Sequence, residues 1–241
     1  MLSPNCEVTN MAERNLDLSP RVEMTREQRS NNIVHFNLQE IKNHFDENLI
    51  IVNNQFPIAD ELYAAGKIDE CKAIWRSQVV FVEGFLDFFL HEISKYSLYN
   101  ILKGDWAKTE KYEHFCIPMR EVEKAIEATE SKEWFFEYLN NRFSRDVFLS
   151  HESLRDQLNL IGIPFNDVMC KAFPKPTEKE SCTYGKNVII QLYNRRNEIA
   201  HQNDRNHGSG EQNDISKDFV NEYISNVCKI VEAIYDIAKN K

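Results

Sequence analysis

The chain has 241 residues, of which 42% are hydrophobic and 28% charged, and its net charge is −9. These values fit a globular protein with a sizeable core and exclude collagen-like, low-complexity and wholly disordered chains. The acidic balance also argues against a generic nucleic-acid coat, although a local basic site remains compatible with it. Only seven glycines and seven prolines occur. Because β-sandwiches and barrels use many such residues in turns, the composition favours long helices.

Neither export nor membrane insertion is indicated by the sequence. No apolar run approaches the roughly 18 residues that cross a bilayer, and residues 1–10 lack the basic and apolar segments of a secretory signal. The six cysteines are scattered, without a C-x-x-C pair, which is typical of reduced thiols rather than of disulfides or a zinc site. We therefore expect a cytoplasmic protein with no membrane contact, no metal and no cofactor.

The N-terminal region combines a polar arm with the start of a helical domain. Residues 1–24 are polar and predict a flexible arm, and residues 25–241 are expected to form a single helical domain. Thr25–Gln28 has the form of a capping box, so a first helix should follow it. A stripe of apolar residues at three- and four-residue steps continues that helix. Its members are Val34, Leu38, Ile41, Phe45, Leu49 and Val52. Pro57 and Gly66 then bound a short second helix.

The most apolar part of the chain is Ile68–Leu102, whose large side chains cover more than one helical face. A helix that is apolar nearly all round is expected to be central and buried. The pattern fails between Asp105 and Pro118, which predicts a loop. Four shorter helices follow, over residues 119–128, 133–143, 150–162 and 164–173.

The C-terminal third ends in two helices. We predict a polar loop over Lys175–Gly185, a helix over Lys186–Gln202 and a flexible loop over Asn203–Asn213. Ile215–Lys239 carries an apolar stripe at helical spacing and should form the last, amphipathic helix. The predicted fold class is therefore all-α: a bundle of about seven or eight helices with a long central helix and a C-terminal amphipathic helix.

One polar stretch near the end of the predicted 186–202 helix departs from this ordinary patterning. At roughly 100° per residue, Asn197 and His201 lie on one face, and Arg196 lies about 140° from His201, within reach of its long side chain. The face toward the core is formed by Val188, Leu192 and Ile199. Residues 186–206 carry four basic side chains against two acidic ones, so the stretch is locally positive.

These three residue types suit a reaction on a phosphodiester. Arginine offers a planar fork to a phosphate, histidine transfers a proton near neutral pH, and asparagine orients a hydroxyl, a phosphate or an imidazole. In RNA the 2′-OH is an internal nucleophile, so such a trio can cleave RNA without a metal and leave a 2′,3′-cyclic phosphate. By spacing alone, the same residues also fit a solvated polar helix end.

The pattern Arg196-Asn197-x-x-x-His201 resembles the R-x(4–6)-H motif of the HEPN superfamily, in which a polar residue commonly follows the arginine. The motif has the same setting as in that superfamily, late in an all-helical domain and before a loop and a last amphipathic helix. Arg76–Asp87 is similar to the central helix of stand-alone HEPN proteins of the RiboL-PSP type. The resemblance covers roughly residues 30–240.

This resemblance implies a metal-independent endoribonuclease, often a toxin or an effector of anti-phage defence, with RNA as its substrate. It implies a homodimer whose composite active site takes motifs from both chains, and an antitoxin or sensor as a further partner. It gives Arg196 the role of phosphate binder and transition-state stabiliser, His201 that of catalytic acid and base, and Asn197 that of an orienting group.

Four further residues are predicted to bind RNA or to support the site, each with an alternative. Glu83 lies in a very apolar segment and can pair with Arg196 or Arg195 and fix it, or it can be a charge at the rim of the bundle. Tyr193 can stack on a base or pack in the core. Arg195 and Arg205 can hold the RNA backbone, and Arg195 fits an ion pair at a dimer interface equally well.

Two other classes of function stay open on the sequence alone. One is a non-catalytic helical module that binds a nucleotide, RNA or a protein through the same face. The other is a purely structural or regulatory helical dimer, which the acidic balance favours. Loss of RNA cleavage in Arg196 and His201 variants would separate the enzyme from both.

Overall fold

The computed structural model describes residues 34–128 and 131–241. The predicted arm at 1–24 and the predicted capping box at 25–28 lie outside these residues. The described residues form ten α-helices: α1 (Leu38–Asn53), α2 (Gln55–Ala64), α3 (Ile68–Lys103), α4 (Glu110–Glu113), α5 (Met119–Glu127), α6 (Glu133–Phe143), α7 (His151–Leu160), α8 (Phe165–Ala172), α9 (Glu178–Gln202) and α10 (Lys217–Lys239). The all-α prediction is confirmed. The count exceeds the predicted seven or eight, and the unpredicted helix is the single turn α4 inside the predicted 105–118 loop.

Helix α1 begins later than the apolar stripe predicts. Asn37 caps it: its Oδ1 accepts from the Glu40 backbone N–H at 2.9 Å, and Glu40 Oε2 accepts from the Asn37 N–H at 2.8 Å. This reciprocal pair satisfies two backbone donors and fixes the start of the helix. Val34 therefore lies outside α1, and it is 55% exposed. The prediction that Val34 belongs to the helical stripe was wrong.

Helix α3 is the centre of the bundle, as predicted. It spans 36 residues and packs against α1, α2, α6, α9 and α10. Its fully buried side chains include Val79, Val82, Phe89 and Ile93. The helix ends at Gly104, whose φ of 90° gives the left-handed cap that a glycine adopts without steric cost. A helix enclosed on most sides can present a charged residue to the interior of the domain, which matters for Glu83.

Helix α9 begins at Glu178, so the predicted polar loop over 175–185 was wrong. Thr177 caps the helix, and Glu180 completes a capping box with it. Gly185 is buried inside α9, where an added Cβ would collide with Met169 of α8. The glycine permits close packing of two helices and does not end a loop.

The last helix, α10, is amphipathic, as predicted. Ser216 caps it, and its buried face includes Val220, Val227 and Ile234. The Tyr223 hydroxyl donates to the Leu192 carbonyl oxygen at 3.0 Å, which fixes α10 against the part of α9 that carries the polar motif. None of the helices in the described part of the chain is long and apolar enough to cross a membrane.

Candidate active site

The last turns of α9 bring the three predicted motif residues together. The Arg196 Nη1 group donates to Asn197 Oδ1 at 3.0 Å and lies 3.3 Å from His201 Nε2. Because a guanidinium only donates, Nε2 of the imidazole is the acceptor in this contact. The side chain of Arg196 thus bridges the 140° between the two positions on the helix. The cluster faces outward: the His201 residue is exposed and Asn197 is half-buried.

A buried carboxyl lies behind this cluster. Glu83 of α3 is 1% exposed, and its Oε2 is 3.7 Å from Nε of Arg196. Neither atom has a hydrogen-bond partner among the described residues. Burial raises the pKa of Glu83 to about 8, although the neighbouring Arg196 guanidinium opposes the shift. Burial therefore favours the protonated form of Glu83, and at 3.7 Å the ion pair with Arg196 is incomplete.

The neighbouring Arg195 has a different set of contacts. Its guanidinium donates to both carboxylate oxygens of Asp204 and to Glu198 Oε2, the last at 3.2 Å. Nη2 also donates to the Asp214 carbonyl oxygen at 3.2 Å. The side chain is only 14% exposed. The described contacts therefore hold Arg195 within the chain, and the RNA contact or dimer pair predicted from sequence stays a prediction.

Asp204 is the residue that the sequence analysis missed. It is fully buried, and besides Arg195 it accepts from Arg76 Nε at 2.6 Å and Asn213 Nδ2 at 3.2 Å. Burial alone would raise its pKa, but hydrogen bonds from Arg195 and Arg76 hold the pKa below its ordinary value. This network ties the end of α9 to α3. The 203–213 segment, predicted to be a flexible loop, is thus anchored at both ends, at Asp204 and at Asn213.

The sequence does contain a local indication of the helix end at Asp204. Asn203 has φ 51° and Asp204 has φ 57°, the left-handed conformation that asparagine and aspartate tolerate best among non-glycine residues. An Asn-Asp pair directly after a polar helix end is therefore a reasonable C-cap. Its buried partner Arg76 cannot be read locally, because that residue lies 128 positions away in the sequence.

The side chains of the two remaining predicted residues, Tyr193 and Arg205, have no contact with the motif cluster among the described hydrogen bonds and ion pairs. Tyr193 is partly buried and packs against the hydrophobic core, which matches the packing alternative. Arg205 is exposed, and its Nη1 donates to the Gly210 carbonyl oxygen at 2.7 Å within the loop. Among the described residues there is no group of three His, Cys, Asp or Glu side chains placed to hold a metal ion.

An all-helical bundle with an Arg-Asn-x-x-x-His motif at the exposed end of its penultimate helix defines a HEPN-type domain. The RiboL-PSP-HEPN family model matches residues 72–240, well over half of the chain. The protein therefore belongs to the RiboL-PSP-HEPN family. HEPN domains are commonly ribonucleases, and they often bind RNA and dimerise. Comparisons with curated proteins and with solved structures found no match.

Proposed function

We propose that this protein is a metal-independent endoribonuclease whose site is formed by Arg196, Asn197 and His201. The observation that carries the proposal is the contact of one guanidinium nitrogen with both Asn197 Oδ1 and His201 Nε2 on an exposed helix end. Catalytic groups must lie within hydrogen-bond reach of one reacting centre. These three side chains meet that condition without any rearrangement of the backbone.

The proposed reaction is an internal transesterification of RNA. His201 Nε2 takes the proton of a 2′-OH, and the 2′-oxygen attacks the adjacent phosphorus. The P–O5′ bond breaks, and the leaving 5′-oxygen receives a proton. The products are a 2′,3′-cyclic phosphate and a 5′-OH end. Arg196 stabilises the charge that builds on the non-bridging oxygens, and Asn197 holds Arg196 in position through its Oδ1.

The two proton transfers in this reaction support a dimeric site. The reaction needs a base for the 2′-OH and an acid for the 5′-oxygen, and one imidazole cannot serve both in a single concerted step. Each chain offers one such histidine in its motif. We therefore infer that two copies face each other and that the two motifs form one composite site.

We also propose a biological class for the enzyme. An unrestrained endoribonuclease degrades the RNA of its own host, so an effector of anti-phage defence or a toxin, restrained by an antitoxin or triggered by a sensor, fits this activity. Overproduction of the wild-type chain should then slow growth, and Arg196→Ala should relieve it. Equal growth with both would contradict this class.

The activity itself is tested with purified protein. Wild type, His201→Ala and His207→Ala are incubated with total RNA and with tRNA in excess EDTA, and the ends of the fragments are analysed. His207 is an exposed loop histidine near the motif, so it is the matched control. We expect wild type and His207→Ala to leave 2′,3′-cyclic phosphate ends and His201→Ala to be slower by roughly 10²–10⁴. RNA binding without cleavage would instead favour a non-catalytic binding module.

A further inference from the structure

A groove lies between α9, the helix that carries the proposed site, and the first half of α10. Its volume is about 370 Å³, within the range of small-ligand pockets. Its floor is apolar, formed by Val188, Leu192 and the ring of Tyr223, and Phe219 forms one side. Glu198 at its rim precedes His201 by three residues, and residues three apart are neighbours on a helix surface. The groove therefore includes a surface neighbour of His201, while Arg196, Asn197 and His201 are not among its lining residues.

One wall of the groove is an aromatic ring that contacts a fixed cation. The Arg195 guanidinium lies over the Phe219 ring, with Cζ 5.7 Å from the ring centroid, and Asp204 fixes it from behind. Phe219 is still 38% exposed, and aromatic rings are surfaces on which proteins stack unpaired RNA bases. Because Arg195 and Phe219 already contact each other, their side chains lose little conformational freedom when a ligand binds.

Charge at the rim excludes a phosphate as the occupant. Glu198 and Glu222 both line the groove, and carboxylates repel a phosphate. The positive charge of Arg195 is already balanced, since it contacts Asp204 and Glu198. Glu222 is exposed and has no ion-pair partner within residues 34–128 and 131–241. The groove thus presents a carboxylate that is free to accept hydrogen bonds.

We propose that this groove binds a guanine base of the RNA beside the cleaved bond, with Glu222 accepting from its Watson–Crick edge. Guanine presents two adjacent donors, N1–H and N2–H₂, which match the two oxygens of a carboxylate. Adenine and cytosine each present an amino donor beside a ring acceptor, and uracil presents one donor between two acceptors. Only guanine satisfies both oxygens without facing an acceptor toward them. The inference rests on the proposed ribonuclease function.

The test uses His201→Ala as a background, so that binding is measured without cleavage. GMP, AMP, CMP and UMP are titrated calorimetrically into this variant, into His201→Ala with Glu222→Gln, and into His201→Ala with Glu61→Gln. Glu61 is an exposed glutamate on α2 and gives the matched control. We expect GMP to bind roughly tenfold more tightly than the other nucleotides, and Glu222→Gln alone to remove the preference.

Three results would overturn the guanine site: no binding of any nucleotide, equal affinities for all four, or a preference that survives Glu222→Gln. The outcomes also separate this inference from the proposed function. A chain that cleaves RNA but binds GMP no better than UMP refutes only the guanine site. A chain that selects GMP through Glu222 but never cleaves RNA refutes the nuclease and supports the guanine site.

Discussion

Arg195 and Arg196 are adjacent in the sequence and have opposite surroundings. Arg195 meets the fully buried Asp204, whose carboxylate also accepts from Arg76 and Asn213. Arg196 meets the buried Glu83 at 3.7 Å, with Nε and Oε2 both lacking a hydrogen bond among the described residues. Buried polar groups are nearly always satisfied, so an unsatisfied pair calls for an explanation. The satisfied network holds the backbone in place, whereas the incomplete pair leaves a guanidinium available to a substrate.

The largest expected effect on stability comes from breaking the hydrogen-bonded network around Asp204. Asp204→Ala leaves Arg76 and Arg195 without their shared carboxylate. Removing one partner of a buried ion pair costs roughly 3–5 kcal/mol. We therefore expect the free energy of unfolding, measured by urea denaturation, to fall by about that amount. The exposed Glu61→Ala should change it by less than about 0.5 kcal/mol. If the two variants unfolded alike, Asp204 would not hold α9 to α3.

The incomplete pair predicts an unusual pH dependence. The pKa of Glu83 is raised to about 8 in the folded chain, above its unfolded value of about 4.3. Between these two values the folded state keeps a proton that the unfolded state has lost. The contribution of Glu83 to stability is therefore fully present below pH 4 and is lost as the pH rises toward 8, by at most about 1.4 kcal/mol per pH unit.

The measurement compares urea midpoints of wild type and Glu83→Gln from pH 5 to pH 8. The glutamine is neutral throughout, so the fall in stability should be smaller in the variant. An identical pH profile in both proteins would show that Glu83 is ionised in the folded chain, and the pair with Arg196 would then be an ordinary ion pair. Arg196 would then be ion-paired with a buried carboxylate, as Arg195 is.

The smallest expected change concerns the stability of the motif variants. Arg196→Ala leaves behind a Glu83 that can bind a proton, and His201→Ala removes an exposed side chain. Both should therefore unfold within about 1 kcal/mol of wild type, as a urea titration at pH 7 would show. A loss as large as that of Asp204→Ala would place Arg196 in the scaffold with Arg195.

Much of the fold and the motif could be predicted from patterns within single helices. Helices α3 and α10 follow from their apolar patterning, and Arg196, Asn197 and His201 were predicted to meet because they lie within two turns of α9. The start of α9 was missed because Thr177 and Glu180 cap a polar first turn that reads as a loop. The distinction between the arginines was also missed. It depends on which one faces Asp204. That contact spans only nine residues, but the second cation on Asp204 is Arg76, 128 residues away in the sequence.

The most direct test of the account is the rate of RNA cleavage in excess EDTA by Arg196→Ala and Arg76→Ala, each measured where it is fully folded. Arg76 is buried, and its side-chain hydrogen bonds to other described residues all go to Asp204 and Asn213, so it is the structural counterpart of Arg196. We expect Arg196→Ala to lose roughly 10²–10⁴ in rate at nearly wild-type stability. Arg76→Ala should unfold at lower urea and cleave within a few-fold of wild type. Cleavage at the wild-type rate by Arg196→Ala would contradict the account.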